Sequence, residues 1–453
     1  MEARLRSGNG WSRRLKPTPR DADILRLAGP ALGALVAEPL FLLADSVIVG
    51  RLGVLPLAGL GLAGAVLTTA VGLMVFLAYG TTATVARRIG AGDLRGALEQ
   101  GVDGIWLALG AGVVLALLAW PTAPALVGAL GASAEVLPYA VTYLHWSLPG
   151  LPGMLVVLAA TGVLRGLQDT RTPLVVAATG AGVNVLLNLA LVYGAGWGIA
   201  GSAAGTALTQ LLMAAALVTV VARGVRRTGA RVTPHPLGVL RGARDGAPLF
   251  VRTLTLRVAL LVTTVVATRQ GDAGIAAHQV AMTVWTTTAL ALDALAIAAQ
   301  ALVGRALGAA DVGDVRATVR RMVQWGVATG AVLGVLIALT AVPLTGLFST
   351  DPAVRSFLAA ALWVLAASLP LAGWVFVLDG VLIGAGDGRY LARAGLLTLL
   401  AYLPAAGAVG LLVEPGRAGL VWLWIAFAGL FMAARLATLV RRERSGRWMV
   451  LGV

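Results

Sequence analysis

Apolar positions along this chain run in long unbroken stretches. They show neither the period-2 alternation of a half-buried strand nor the narrow stripe of a soluble amphipathic helix. Stretches of at least ~18 apolar residues are candidate membrane helices. Twelve can be read, at roughly 24–50, 55–86, 97–122, 134–164, 173–195, 197–224, 245–268, 275–304, 315–346, 354–384, 390–413 and 417–440. Continuous runs also argue against a transmembrane barrel, whose strands alternate lipid-facing and lumen-facing residues. The pattern therefore predicts an all-α polytopic membrane protein with twelve transmembrane helices.

Composition agrees. Of 453 residues, 58% are apolar and 12% charged, against roughly 45–50% and about 25% in soluble proteins. Mean hydropathy is +0.88. A soluble enzyme is excluded. Glycine is abundant, at 58 residues, and in lipid it lets helix backbones approach closely, as expected at Gly201-x-x-x-Gly205. With no cysteine, no disulfide, iron–sulfur or thiol chemistry is available. The three histidines, His145, His235 and His278, share no metal-ligand spacing. No nucleophile stands beside a base, so an intramembrane enzyme is also disfavoured; no metal and no cofactor are expected.

The formal charge of +15 suggests nucleic acid until the arginines are located. Residues 1–23 are basic, with no apolar core before a cleavage site, and read as a cytoplasmic tail. Alternate loops carry Arg87, Arg88 and Arg95; Arg165 and Arg171; a dense set from Arg223 to Arg244; Arg305 to Arg321; and Arg389 and Arg393. The intervening loops hold only Arg51, Arg269, Arg355 and Arg417. By the positive-inside rule both termini are cytoplasmic, and no nucleic-acid partner is needed. Trp197, Trp422 and Trp424 near outer helix ends suit an aromatic belt in contact with membrane lipids.

The chain also repeats itself. At an offset of 218 residues Pro30 meets Pro248, Gly90-Ala91-Gly92-Asp93 meets Gly308-Ala309-Ala310-Asp311, Pro152 meets Pro370, and the loop ending in Asp169 meets the one ending in Asp387. Each half has six spans, so both enter the membrane from the same side and the repeats are parallel. The predicted organisation is a tail (1–23), an N-terminal lobe (24–224), a cytoplasmic linker (225–244), a C-terminal lobe (245–440) and a second tail (441–453). Secondary transporters of that build rock two bundles about a central site. A channel is disfavoured because no filter-like loop interrupts a span.

Intramembrane ionisable groups cost about 2.5–3.5 kcal/mol each on insertion scales and so mark function by default. Glu38 and Asp45 lie two turns apart in the first span and are expected on one face. Pro30 and Pro39 remove ladder hydrogen bonds and make that helix bendable. Such a helix suits a proton- or cation-gated element; the plainer alternative has Glu38 satisfying backbone near Pro39 and Asp45 sitting at the outer interface. Asn184 and Asn188 share a face of the fifth span, either coordinating an ion or joining helices. Thr206 and Gln210 form a weaker pair in the sixth. In the second half Arg252, Arg257, Asp293 and Asp379 are expected to form buried ion pairs, a structural role. Asp103 is expected to be solvated at the end of the third span, and His278 to be an interfacial hydrogen-bonder.

These residues carry a resemblance. Pro30, Glu38-Pro39-Leu40, Asp45-Ser46-Val47-Ile48-Val49-Gly50, Leu164-Arg165-Gly166-Leu167-Gln168-Asp169, Ala277-His278-Gln279-Val280, Leu292-Asp293-Ala294 and Leu378-Asp379-Gly380 together resemble the multidrug and toxic compound extrusion (MATE) family, most like its DinF-like branch. The resemblance runs over about residues 22–440. It implies two six-helix, pseudo-symmetric lobes in a V, one chain forming the functional unit in a bacterial cytoplasmic membrane. It also implies export of small organic cations or amphipathic drugs in exchange for H+ or Na+. Asp45 would be the coupling acid, with Asn184 and Asn188 in its hydrogen-bond network. Val192 stands where some relatives carry a further Asp, and the seventh- and tenth-span acids of the NorM-like branch are absent; with fewer anionic ligands, H+ is favoured over Na+. The alternative within the same superfamily is a flippase for a lipid-linked or lipid-like substrate, which predicts cavity cations such as Arg252 and Arg257.

Overall fold

A computed structural model describes residues 18–453; the basic residues 1–17, most of the first tail, lie outside it. Twelve helices are long and apolar enough to cross a membrane: α1 Pro19–Gly50, α2 Val54–Gly90, α3 Leu94–Ala129, α4 Leu137–Gly166, α5 Arg171–Gly194, α6 Gly198–Thr228, α7 Pro236–Thr268, α8 Gly271–Gly308, α9 Val312–Phe348, α10 Pro352–Gly384, α11 Gly388–Leu412 and α12 Arg417–Ser445. Each predicted span falls within or nearly within one of them, and no strand occurs among the described residues. Most helices run several residues past the apolar limits, because polar caps rather than lipid end them. Asp93 and Asp311 cap α3 and α9 by accepting from Gly96 and Asp314 backbone N–H groups.

The 218-residue offset survives in the backbone. Gly92 and Ala310 both have positive φ, as do Gln168 and Gly386. Each position ends a helix in the left-handed conformation that glycine adopts freely and other residues at a cost of about 1–2 kcal/mol. The turn is held by the same bond in both halves, Asp169 N–H to Leu164 O at 2.8 Å and Asp387 N–H to Leu382 O at 3.0 Å.

Of the segment 225–244 read as a linker, only residues 229–235 are free of helix. Arg231 there forms two bonds to Asp103, at 2.7 and 2.9 Å, and the His235 N–H adds a third. Asp103 is thus 5% exposed, not solvated: three donors from the inter-lobe connection cover it.

The turns at 91–93, 167–170, 229–235, 309–311 and 385–387 share one end of the bundle, here called the basic end. The two lobes meet there. Gly90 and Gly308 each face the opposite helix's backbone so closely that neither has room for a Cβ. Arg87 of α2 donates to the carbonyls of Ala385 and Gly452 in the second half. Asp21 of α1 pairs with Arg321 of α9 at 2.6 Å and accepts from Trp325 at 2.7 Å. Gln168 donates to Ala301 O.

Candidate functional site

Near the end of α1 opposite the basic end, Asp45 is fully buried between α4, α5 and α6. Its carboxylate accepts from Tyr143 Oη of α4 at 2.9 Å, from Asn188 Nδ2 of α5 at 2.8 Å, and from the Ser202 hydroxyl of α6. Asn188 Nδ2 also donates to Asn184 Oδ1, and Asn184 Nδ2 to Thr206 Oγ1, both at 3.2 Å. Asn184, Asn188 and Ser202 are as buried as Asp45, and no cation lies within ion-pair distance of the acid among the described residues. Two hydroxyls and one amide N–H group, from three helices, therefore converge on the carboxyl group of a fourth. Asn188 Oδ1 accepts no hydrogen bond.

Local sequence explains the fit. Gly201 brings α6 onto the Leu191–Val192 backbone of α5, and Gly205 leaves the space that the Asn188 amide fills; a Cβ at either would collide. Below Asn188, α5 widens into a π-turn over Ala190–Gly194, a feature frequent at functional sites. Tyr193 from that turn donates to Ile48 O at 2.7 Å, holding the end of α1 against α5.

The predicted residues thus separate into groups. Asp45, Asn184, Asn188 and Thr206 come together. Gln210, one turn beyond Thr206, is half-buried and makes no side-chain hydrogen bond among the described residues. Glu38 does not share the Asp45 site: it is exposed, on the side of α1 reached by the field of Arg257. The guanidinium of Arg257 lies against Gly72 of α2, across the space between the lobes. Pro30 and Pro39 both sit inside the unbroken helix α1.

The four charged residues of the second half pair only in part. Asp379 of α10 holds Arg252 of α7 and Arg435 of α12, the latter at 3.2 Å. Among the described residues Asp293 and Arg257 make no ion pair; Asp293 lies in the fields of Arg165 and Arg252 instead. His278 is fully buried, not interfacial, with Nε2 3.4 Å from Thr264 Oγ1 and its ring 5.8 Å from that of Trp424. Trp424 is likewise buried, whereas Trp197 and Trp422 are half exposed as an aromatic belt requires. An apolar neighbourhood alone cannot place an aromatic residue at the belt or in the core.

Sequence reasoning missed Tyr143 and Ser202, which bond to Asp45, and Arg435, which pairs with Asp379. Ser202 had a signal, since Ser202, Thr206 and Gln210 form an i, i+4, i+8 polar stripe on α6. Tyr143 had none, because in an apolar span its hydroxyl is indistinguishable from a belt residue's.

Comparison with known proteins bears on the family and the fold. The family model described as MatE matches residues 30–190 and 248–406, one match in each half. Protein DETOXIFICATION 44, chloroplastic, of Arabidopsis thaliana is 30% identical over 95% of this chain and 84% of its own length. DNA damage-inducible protein F of Escherichia coli is 29% identical over 95% and 94%. A crystal structure of MATE in the bent conformation superposes with a TM-score of 0.86, at 24% identity over 95% of this chain and 96% of that one.

Proposed function

This chain belongs to the MatE family of membrane transporters, and from that premise we propose that it exports organic cations and amphipathic drugs in exchange for protons, with Asp45 as the group for which both compete. One observation supports the reading above the rest: a fully buried carboxyl group with three donors and no counter-cation. Its surroundings satisfy either protonation state. As an anion it accepts from Tyr143, Asn188 and Ser202. Once protonated it must donate, and the Ser202 and Tyr143 hydroxyls can rotate to accept. A turned Asn188 amide offers a further acceptor. The anion attracts a cationic substrate into the N-terminal lobe; the neutral acid releases it. Because one charge cannot serve both at once, proton uptake and substrate release are linked.

We read the basic end, and with it both termini, as cytoplasmic on the positive-inside rule, and the membrane as a bacterial cytoplasmic one. The state described here is then closed to the cytoplasm. Pro30 and Pro39 leave α1 short of ladder hydrogen bonds, so α1 is the element able to bend when Asp45 changes charge. Sodium is the less favoured ion, because the oxygen set around Asp45 contains one carboxylate and Val192 supplies no second. A single chain completes both lobes, and no nucleic acid, cofactor or metal enters the cycle.

The largely buried guanidinium groups of Arg252 and Arg435, two for the one Asp379, favour one alternative: a lipid-like substrate with an acidic head group. Efflux of a fluorescent organic cation from liposomes under a pH or a Na+ gradient decides. Wild type should respond to the pH gradient, and Asp45→Asn should fall to the level of protein-free liposomes. Efflux driven by Na+ alone would overturn proton coupling. If neither gradient moves a cation, the lipid-like substrate stands in its place, and Arg252→Gln is the variant to compare next.

A further inference from the structure

The seam between the lobes is not symmetric, although the fold is. At the offset of 218, Phe76 of α2 corresponds to Ala294 of α8, and Phe250 of α7 to Leu32 of α1. On the α1–α8 side Ala31, Ala294 and Ile297 pack closely with Leu32 and Leu35. On the α2–α7 side the two lobes touch through the rings of Phe76 and Phe250, edge to face at 87° with centroids 6.3 Å apart.

Beneath that aromatic contact, toward the basic end, lies a crevice of about 210 Å³ between α2, α3 and α7. Phe76, Leu77 and Leu107 form its apolar wall, with Thr84 lower down and Arg241 and Asp245 at its rim. Its other ions are occupied: Arg88 by Asp93 and Gln100, and Arg231 by Asp103. Asp245 is exposed and has no ion pair or hydrogen bond to its carboxylate among the described residues.

A third asymmetry coincides with these two. The backbone of α2 breaks between Leu73 and Phe76, where Leu77 N–H bonds to Met74 O and Ala78 N–H to Val75 O in single tight turns. Its counterpart α8 is continuous through the same place, Leu292–Asp293. Breaks of this kind are where helices hinge. Phe76 is the first residue beyond the break, so movement at Met74–Val75 carries its ring directly.

We propose that this crevice is the site where the exported organic cation is loaded from the cytoplasm, and that the Phe76–Phe250 pair, hinged at Met74–Val75, separates it from the space between the lobes. Leu77 and Leu107 take the apolar body of the cation and Asp245 its charge. The volume lies below the ~300 Å³ lower bound for drug-sized pockets, so only the leading part of such a molecule fits until the rings part. This inference rests on the export reading above.

Because the chain has no cysteine, single cysteines can test it without background. In inside-out vesicles Thr84→Cys should react with a membrane-impermeant thiol reagent, and tetraphenylphosphonium should slow that reaction about tenfold at a concentration well above its Kd. Adding Asp245→Asn should remove most of the protection. Glu38→Cys, which reports the space between the lobes, should be unreactive from the cytoplasmic side and become reactive when Phe76→Ala and Phe250→Ala are combined with it. Efflux of the same cation measured in parallel separates the two claims. If the protein transports tetraphenylphosphonium but Thr84→Cys is unprotected, or reacts only from outside, the loading site is wrong and the export reading stands. If protection is seen without transport, the export reading fails instead. Should the double alanine variant not fold, the protection measurement still decides on the folded single-cysteine chain.

Discussion

The two lobes share a backbone and place their polarity in opposite positions. Around Asp45 the first lobe gathers Tyr143, Asn184, Asn188, Ser202 and Thr206; at the same offset the second has Thr263, Ala361, Tyr402, Ala406, Leu420 and Trp424. What remains of the site there is one bond, Thr263 Oγ1 to Tyr402 Oη at 2.6 Å, beside an aromatic cluster of Tyr402, Trp424, Phe427 and Phe431. Conversely the second lobe's Arg252, Asp379 and Arg435 occupy places held by Ala34, Thr161 and Leu217 in the first. Space is exchanged as well as charge: Asn188 and Gly205 correspond to Ala406 and Leu423, so volume lost on one helix is returned on its neighbour. Both versions pack, and the scaffold is therefore indifferent to which buried chemistry it carries. On the export reading proposed above, that difference separates a site serving the transport cycle from one serving stability.

The largest effect that would break this division is at Asp379. Asp379→Ala strands two guanidinium groups that are largely but not fully buried, and breaking a buried ion pair costs about 3–5 kcal/mol. Asp45→Asn removes a charge that no cation balances and replaces it by a group of the same shape that still hydrogen-bonds. Thermal unfolding in detergent should thus drop steeply for Asp379→Ala and little for Asp45→Asn, while efflux ranks Asp45→Asn as the more damaging for the protein that remains folded. An equal loss of stability in both would remove the distinction between the lobes.

Gly205→Ala tests the exchange of volume. The added Cβ meets the Asn188 amide, so it must push that side chain off Asp45 or separate α5 from α6, and overpacking of this kind costs about 1–3 kcal/mol. Efflux should fall more than stability. The combination of Gly205→Ala with Asn188→Ala imitates the second lobe; it should restore the unfolding temperature and leave efflux abolished. Recovery of efflux would show that Asn188 is dispensable around Asp45.

Most of the scaffold was legible in the sequence because its signals are long: twelve apolar runs, and a repeat whose prolines and Asp-ended turns keep one offset. The two carboxylates of α1 were legible too, since an acid in an apolar run stands out. What was hidden depends on rotation about helix axes. Glu38 and Asp45 are two turns apart on α1, and one is exposed while the other is sealed; spacing along a helix does not say which neighbour covers it. Asp103 appeared solvated because its three donors come from the connection 229–235, distant in sequence. Arg435 was overlooked in the amphipathic end of α12, and nothing in its surroundings pointed to Asp379, 56 residues away.

The smallest expected difference lies outside the membrane, at the caps of α3 and α9. Asp93 and Asp311 are counterparts, each accepting a backbone N–H from the first turn. Among the described residues only Asp93 has a cation, Arg88 at 2.6 Å, because the counterpart of Arg88 is Ala306. The Gly96 N–H, and then Arg88, hold the Asp93 carboxyl below the usual carboxylate range. A depressed folded-state value stabilises the fold above the unfolded value of about 3.9 and loses that contribution as pH falls through the folded one. Asparagine caps a helix about as well as aspartate, so Asp93→Asn removes the charge and leaves the cap. With both partners partly exposed to water, the cost at neutral pH should stay below about 1 kcal/mol. The gap between Asp93→Asn and wild type should close as the pH is lowered below 4 in thermal unfolding measurements. Asp311→Asn, with no cation to lose, should cost less at neutral pH; an equal cost for the two would mean that Arg88 contributes nothing and that the caps, unlike the buried sites, are as symmetric as the backbone.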